Sequence, residues 1–410
     1  MIGWLSRKNL IQKALTVGAA GVGAVLAACD LGPPSASGTG QSKPAAAPTA
    51  APPTAAPAVQ PTAAPAAPAP APTPSTITLK MQSTWPTTDI FHTTFLDWGK
   101  KVEEMSGGRL KIDILPAGAV VGAFQLIDAV NDGVLDGGHG VPAYWFGKNK
   151  AASLFGTGPS FGMDADMLLG WMHFGGGQEL YNDLVQNILK LKVTSFFHGP
   201  MPTQPLGWFK QEVKGPDDFK GQKFRTVGMS IDIFTELGAA VVATPGGEVV
   251  PALERGLLDS AEFNNPTSDK NLGFADVRKV LMVQSYHQPV ECLEVLVNKA
   301  KFDSLPKDLQ AIIRFAAMAQ SAEFTWRMMD RNSIDFSDLQ EKAAVKVVKT
   351  PKSVLEAQLK AWEKVIAKES ADPFFAKVVE SQRKWAARVV PLRQAIMVDT
   401  SLAYDFYFKK

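Results

Sequence analysis

The sequence predicts an α/β protein of two similar lobes with a cleft between them. Three observations predict it: a strand–helix order that occurs twice, the same turn chemistry closing both copies, and a strongly helical C-terminal region. Ile77, Leu79 and Met81 alternate with Thr78 and Lys80, the period of a strand. Phe91, Phe95, Trp98, Val102 and Met105 then recur at spacings of three and four, which predicts an amphipathic helix over residues 91–106, stopped by Gly107 and Gly108. Residues 110–115 alternate again. Residues 123–132 predict a second helix with Gly133 in the left-handed capping place, and residues 135–139 begin the next strand.

The same order returns as a strand over 223–227, a helix over 230–237 ending at Gly238, and a strand over 240–244. A helix over 248–255 capped by Gly256 follows, and then residues 257–262. In 116–136 and 245–259 alike, a strand ends in Pro and Gly, a helix follows, and Gly-Val-Leu-Asp or Gly-Leu-Leu-Asp leads into another strand. Alternating strands and helices favour mostly parallel sheets, whose ligands bind beyond the carboxyl ends of the strands. Residues 306–344 and 353–388 have the composition of helices that wrap the lobes or pair subunits.

The N-terminal segment has a different task. Arg7, Lys8 and Lys13 form a basic head, and residues 14–28 are apolar or small and uncharged. That run falls short of the ~20 residues a bilayer span needs, so it reads as a secretory signal. It ends Leu26-Ala27-Ala28-Cys29, which resembles the bacterial lipobox, in which the cysteine is lipidated and becomes the first mature residue. Asp30 then resembles a signal for retention at the inner membrane, whereas Ser6-Arg7-Lys8 lacks the second arginine of a twin-arginine motif. Residues 44–74 are nearly all Ala, Pro and Thr, a composition that cannot bury a core. As an extended tether they reach roughly 100 Å at ~3.1 Å per residue. Residues 77–410 are long enough for two domains: lobe I over 77–200, completed by about 291–335, lobe II over 201–290, and a C-terminal helical region over 336–410. The net charge of +2 points to neither nucleic acid nor an anionic membrane surface as partner. With Cys29 lipidated, Cys292 has no intrachain partner, so packing alone holds the fold.

Catalytic signatures are missing: no Gly-x-Ser-x-Gly elbow, no His-Glu-x-x-His, no phosphate loop and no cysteine pair at zinc spacing. His92, His139, His173, His198 and His287 are scattered, without ligand-type spacing, and Gly175 to Gly177 read as a helix stop. Arg225 is more informative. It ends a strand just before a helix, where a guanidinium can hold a carboxylate by two charge-assisted hydrogen bonds and the helix N-terminus adds partial positive charge. An arginine in a surface ion pair is the other reading of that position.

Many short motifs in order resemble the substrate-binding subunits of TRAP transporters, the tripartite ATP-independent periplasmic systems, over nearly all of residues 78–330. They include Thr84-Trp85-Pro86, Met105-Ser106-Gly107-Gly108-Arg109-Leu110, Ala143-Tyr144-Trp145-Phe146-Gly147-Lys148, Gly207-Trp208-Phe209, Pro245-Gly246-Gly247-Glu248 and Asp259-Ser260-Ala261-Glu262-Phe263. Within that family the chain is most similar to the branch that binds 2-oxoacids and related monocarboxylates, in several members with a metal ion. The resemblance implies a two-lobed periplasmic-binding-protein-like fold with a hinge, a ligand cleft and long C-terminal helices. It implies an extracytoplasmic, lipid-anchored receptor that hands a small carboxylate to membrane subunits of a transporter driven by an ion gradient. Residue by residue, it places the carboxylate-binding arginine on Arg225, the metal-binding glutamine on Gln204, the acidic and backbone-carbonyl metal ligands on Glu262 and Phe263, and the pocket tyrosine on Tyr144.

The departures matter as much. The branch's substrate-contacting asparagine is Pro200 here, and its His-Glu-Pro motif reads His287-Gln288-Pro289, leaving the Gln288 amide where a carboxylate would help hold a cation. The tyrosine run before it is Leu281-Met282-Val283. Fewer carboxylates weaken a site for a hard cation, and Ca²⁺ more than Na⁺, so the expectation is Na⁺ or no metal, with no cofactor required. Asn264 and Asn265 offer substitute polar contacts, and Trp85, Tyr144, Trp145 and Phe263 are candidates for pocket walls or for core. The C-terminal helices resemble those exchanged between subunits in a dimeric member, on the apolar faces of Trp362, Val365, Phe374, Phe375, Val378 and Val379; packing on the chain's own lobes is the other reading, and Pro391 is expected to break the later part. A sensory ectodomain serving a membrane kinase, and an enzyme acting on an oxoacid, are the rival functions.

Overall fold

The computed structural model describes residues 75–409, so the signal segment, Cys29 and the tether lie outside the described residues. All of the described residues belong to the unit Ala71–Lys410. In chain order the elements that matter are β1 (Ile77–Ser83), α1 (Ile90–Met105), β2 (Leu110–Leu115), α2 (Leu126–Asn131), β3 (Gly137–Gly140), α3 (Ala165–Phe174) and β4 (Val193–Met201). Then come β5 (Gly207–Phe209), β6 (Lys223–Arg225), α4 (Ser230–Glu236), β7 (Ala240–Val242), α5 (Gly246–Glu254), β8 (Ser260–Ala261), α6 (Pro266–Leu272) and β9 (Val280–Val283). The chain closes with β10 (Glu291–Asn298), α7 (Lys307–Glu341), β11 (Lys346–Lys349), α8 (Lys352–Glu369), α9 (Pro373–Ile396) and α10 (Thr400–Phe408).

Two sheets form. Lobe I holds the order β2-β1-β3-β10-β4 and lobe II the order β11-β9-β5-β8-β6-β7. The strands anticipated from alternation pair in parallel, β1 with β2 and β3, and β6 with β7 and β8. The expectation of mostly parallel sheets needs correction at the strands beside them. β10 runs antiparallel to β3 and β4, and β5 antiparallel to β8 and β9. The cause is topological: β4 leads straight into the other sheet as β5, and β9 leads back as β10, so each sheet receives strands that enter from its partner. Residues 346–349, expected within a helical region, extend the lobe II sheet by pairing with β9.

On one face of the first sheet, Phe95, Trp98 and Val102 of α1 meet Leu79, Met81 and Val295, with Leu309 and Ile313 of α7 over them. The opposite face buries Leu126, Val130, Trp171, Tyr181 and Phe197 beneath Trp362, Val365, Phe375 and Val378 of the C-terminal helices. Each such large side chain, taken fully from water, contributes ~1.5–3 kcal/mol. The C-terminal helices up to Ala386 therefore pack on the chain's own lobes, with Phe375 and Val378 over lobe I and Val354 of α8 against Phe209, Phe224 and Phe234 of lobe II. Asp89 caps α1 by accepting from the Phe91 N–H at 2.9 Å. α9 continues through Pro391 to Ile396 rather than breaking. The carbonyl that loses its helical partner there belongs to Ala387, which is exposed, so water can satisfy it.

A third cluster joins the lobes: Trp85, Phe91 and Val141 from the first side, Trp208, Val249, Leu253, Phe263 and Leu281 from the second, and Phe324 and Met328 of α7. Hydrogen bonds cross the same boundary. The Met229 N–H donates to Ser153 Oγ at 3.2 Å, and Ser268 Oγ to Asp89 Oδ2 at 2.9 Å. Lys150 Nζ reaches Asp232 and Glu369, each at 2.9 Å. Gly228, at φ +61°, lies so close to the other lobe that an added Cβ would stand 3.0 Å from that of Ala143. The lobes are shut against each other.

Candidate functional site

The site lies where β6 and β8 end at the lobe boundary. Arg225, the last residue of β6, is 1% exposed, far from the surface ion pair that was the other reading of its position. Its Nε donates to the Thr244 carbonyl at 2.8 Å, and Nη1 to Glu262 Oε1 at 2.9 Å and to the Glu262 carbonyl at 3.3 Å. Nη2 is buried and without a partner. These contacts use residues just beyond the neighbouring strands β7 and β8 and not the helix N-terminus that sequence reasoning invoked; α4 begins only at Ser230, whose Oγ donates to the His287 carbonyl. The Phe263 ring lies under the guanidinium, 5.4 Å from centroid to Cζ. It fits because residue 246 is glycine: a Cβ there would stand 2.5 Å from the ring.

Around this ion pair several buried polar atoms have no partner. They include Glu262 Oε2, Gln204 Oε1, both side-chain atoms of Gln288, Asn264 Oδ1, Thr226 Oγ1 and His287 Nε2, the last 4.0 Å from Glu262 Oε2. Burying polar groups unpaired costs ~1–3 kcal/mol apiece. A concentration of them beside a buried charge is therefore a place built for something else to satisfy. Gln204 is fixed by its N–H, which donates to the Gln288 carbonyl at 3.2 Å, and by Nε2, which donates to Glu291 Oε2 at 3.2 Å. Tyr144 is partly buried; burial pushes its phenol up, and it is coupled electrostatically to Arg225, Glu291, Asp89 and Glu262.

Three acids join this group that sequence reasoning left aside. Burial pushes Glu291 up to about 8, Asp269 to about 7 and Asp89 to about 6. Hydrogen bonds oppose the shifts: Trp208 Nε1 donates to Asp269 at 2.7 Å, and the Asn264 N–H does so at 3.1 Å. One guanidinium thus stands among four carboxyl groups, three of which burial drives toward the protonated form, and an anionic ligand would add further negative charge. Protons or a cation must balance it. Gln204 Oε1 and Glu262 Oε2 are oxygen acceptors left open, the donor chemistry that a hard cation requires.

Other anticipated residues are committed elsewhere. Asn265 caps α6 by accepting from the Ser268 N–H at 3.0 Å, and only Asn264 keeps a free oxygen. Trp145 Nε1 donates to Glu294 Oε1 at 2.6 Å inside lobe I, which makes it core. Trp85 is also core, its ring 6.1 Å from that of Tyr144. A cavity of about 290 Å³, lined by Phe124, Tyr144 and Phe146 on one side and Val227, Gly228 and Ile231 on the other, opens at the lobe boundary next to Tyr144. Neither this cavity nor the larger hollows, of about 380, 460, 480 and 680 Å³, are lined by Arg225, Glu262 or Gln204. The histidines, scattered in sequence, partly gather in space: His139 stacks on His198 at 4.9 Å, coupled to His92, in the lobe I core. Among the described residues, no group of three or more His, Cys, Asp or Glu could hold a metal by itself, so any cation would rely on amide and carbonyl oxygens.

Residues 81–372 match the family of bacterial extracellular solute-binding proteins, family 7. The chain is 34% identical over 239 residues to a monocarboxylate 2-oxoacid-binding periplasmic protein of Nostoc sp., covering 58% of this chain and 65% of that protein, just under two thirds of its length. A TRAP periplasmic solute-binding protein from Colwellia psychrerythraea, solved with calcium and pyruvate, superposes with a TM-score of 0.74 at 30% identity, covering 82% of this chain and all 100% of that one. Another from Pseudoalteromonas atlantica, solved with sodium and pyruvate, gives a TM-score of 0.74 at 29% identity with the same coverage.

Proposed function

This chain belongs to the bacterial extracellular solute-binding protein family 7, the receptor subunits of TRAP transporters, and from that premise we propose that it captures a small organic carboxylate of the 2-oxoacid class between its lobes. It is a receptor and not an enzyme. The observation that carries the ligand class is the buried Arg225, with Nη2 unpartnered among unpartnered acceptors. A carboxylate there takes the free guanidinium N–H groups, and the charge-assisted bonds strengthen in the absence of water. Glu262, Gln204, the Phe263 carbonyl and Gln288 would hold a cation, sodium or calcium, which supplies positive charge to the ligand's keto or hydroxyl oxygen. Tyr144 and Phe263 wall the pocket. Ligand contacts to both lobes stabilise the shut form over an open one, and the shut form would be the one delivered to the membrane subunits.

The lipid on Cys29 would hold the receptor at the extracytoplasmic face of the membrane, with the Ala/Pro-rich segment as its leash. Labelling with a radioactive fatty acid should mark the wild-type chain and not Cys29→Ala. The C-terminal end supports a homodimer: beyond Val390 every described residue is exposed, including Leu402 at 72% and Val398 at 80%. A second copy of the chain is the occupant that would cover this apolar surface. Sedimentation velocity should show a dimer that becomes a monomer when residues 391–410 are deleted; a monomeric full chain refutes it.

The ligand reading is tested by a thermal-shift and calorimetric screen of pyruvate and other small carboxylates, with and without Na⁺ and Ca²⁺. A bound carboxylate raises the melting temperature with saturation. If no small carboxylate produces heat or a shift, the proposed ligand class is wrong.

A further inference from the structure

Three segments carry the chain between the sheets, and two of them, 201–207 and 283–291, run side by side. Thr203 Oγ1 donates to the Pro289 carbonyl at 2.9 Å, the Gln204 N–H donates to the Gln288 carbonyl, and Met201 pairs with Glu291 just before a register shift in the strands. One hydrogen bond between side chains ties these crossings: Gln204 Nε2 to Glu291 Oε2, at 3.2 Å, between residues 3% and 4% exposed. A primary amide has a donor end and an acceptor end, and a half-turn about its last bond exchanges them. Whatever binds the donor end decides which end is offered to a ligand. Here the carboxyl takes the N–H, and Oε1 is left buried and unpartnered. With the opposite orientation, two N–H groups would meet the ligand, and the site could accept neither a cation nor a hydroxyl hydrogen there.

We propose that Glu291 is a positioning residue of the site: it holds the Gln204 amide so that its oxygen, and not its nitrogen, is offered to the bound cation or ligand hydroxyl. This rests on the receptor reading above and adds a residue to it. The selectivity of position 204 is then written at position 291, on the other crossing strand, and any motion that separates the two crossings also releases the amide.

The test is a swap. Pyruvate affinity is measured by calorimetry at pH 8.5, with and without CaCl2, for wild type, Glu291→Gln, Gln204→Glu and the double variant. Wild type should bind pyruvate at least tenfold more tightly with calcium. Glu291→Gln should lose most of that gain, because an amide at position 291 can donate to Gln204 and allow the half-turn. The double variant restores one donor, on 291, facing one acceptor, on 204, and should recover the gain to within threefold. A residue that only supports the fold has no reason to be rescued by exchanging amide and carboxyl. Nuclear magnetic resonance of the ¹⁵N-labelled, ligand-free full chain gives a readout independent of pyruvate and calcium. One glutamine side-chain NH₂ signal, absent in Gln204→Glu, should lie downfield and exchange slowly, and Glu291→Ala should move it to the free position. A Gln204 signal at the free position in wild type overturns the proposal, as does a full calcium gain in Glu291→Gln or a folded double variant without recovery. If wild type binds no pyruvate, the 2-oxoacid reading loses its simplest member while the amide signal still decides the positioning of Gln204.

Discussion

Two buried polar regions of this molecule look alike by composition and behave differently. In the lobe I core, Glu294 accepts from Trp145 Nε1 at 2.6 Å and from Tyr181 at 2.8 Å, and its other oxygen is unpartnered. Close by, His139 and His198 stack with all four ring nitrogens unpartnered. In the cleft, Arg225, Glu262, Gln204 and Gln288 also leave atoms unpartnered. The difference is charge. Burial holds Glu294 up and both histidines down, so each of these groups is driven toward its neutral form, and aromatic rings fill the space around them. The cleft holds a guanidinium, which cannot be neutralised, in line with the open atoms. Unpaired polar atoms alone do not mark a binding site; what sets the proposed site apart is that its unpaired atoms gather around a permanent charge at a lobe boundary.

The largest effect should come from that permanent charge. Arg225→Ala should lower carboxylate affinity by about a thousandfold, the scale of a buried charge pair losing one partner, measured by calorimetry with folding checked by circular dichroism. It should also cost ~3–5 kcal/mol of stability, because Glu262 is left buried without its cation. An Arg225→Ala protein that binds as wild type does would erase the distinction between the regions.

Glu294→Ala reverses the pattern. Two buried donors lose their acceptor, and stability should fall by about 3 kcal/mol in urea unfolding, while carboxylate affinity stays within threefold. Glu294→Gln keeps an acceptor and should cost no more than ~1 kcal/mol.

The histidines sharpen the comparison through pH. Burial lowers His198 to about 3, so the unfolded chain takes up its proton first, and this residue's contribution to stability is lost as pH falls below ~6.5, by about 1.4 kcal/mol per unit. His198→Asn removes that penalty. Relative to wild type it should gain about 2 kcal/mol between pH 6.5 and 5; a constant difference over that window would mean that His198 is not held neutral. The smallest effect is expected at Asn265→Ala, which loses a helix cap worth ~1 kcal/mol without changing affinity, whereas Asn264→Ala should weaken binding a few-fold at unchanged stability.

How far these regions could be read beforehand follows from the same physics. Alternation and glycine caps mark β1, β2, β6 and β7, where one face differs from the other. They do not mark β10, whose eight residues are all buried and so carry no period. The one local signal in β10 is two glutamates in an otherwise apolar run, Val290-Glu291-Cys292-Leu293-Glu294-Val295. One of them positions Gln204 and the other accepts from Trp145. Arg225 was legible because strand end and side-chain chemistry sit together in sequence. Asp89 reads locally as a helix cap, and its second oxygen, bonded to Ser268 from the other lobe, is visible only once the lobes meet. The histidine stack is equally invisible, since His139 and His198 lie on strands separated by β10.

A crystal structure of the full chain grown with pyruvate and either calcium or sodium tests the central claim most directly. The account predicts a carboxylate within hydrogen-bond distance of Arg225 Nη2, with Gln204 Oε1 and Glu262 Oε2 turned toward the same ligand or its cation. Pyruvate bound elsewhere, with Nη2 still unpartnered, would contradict it.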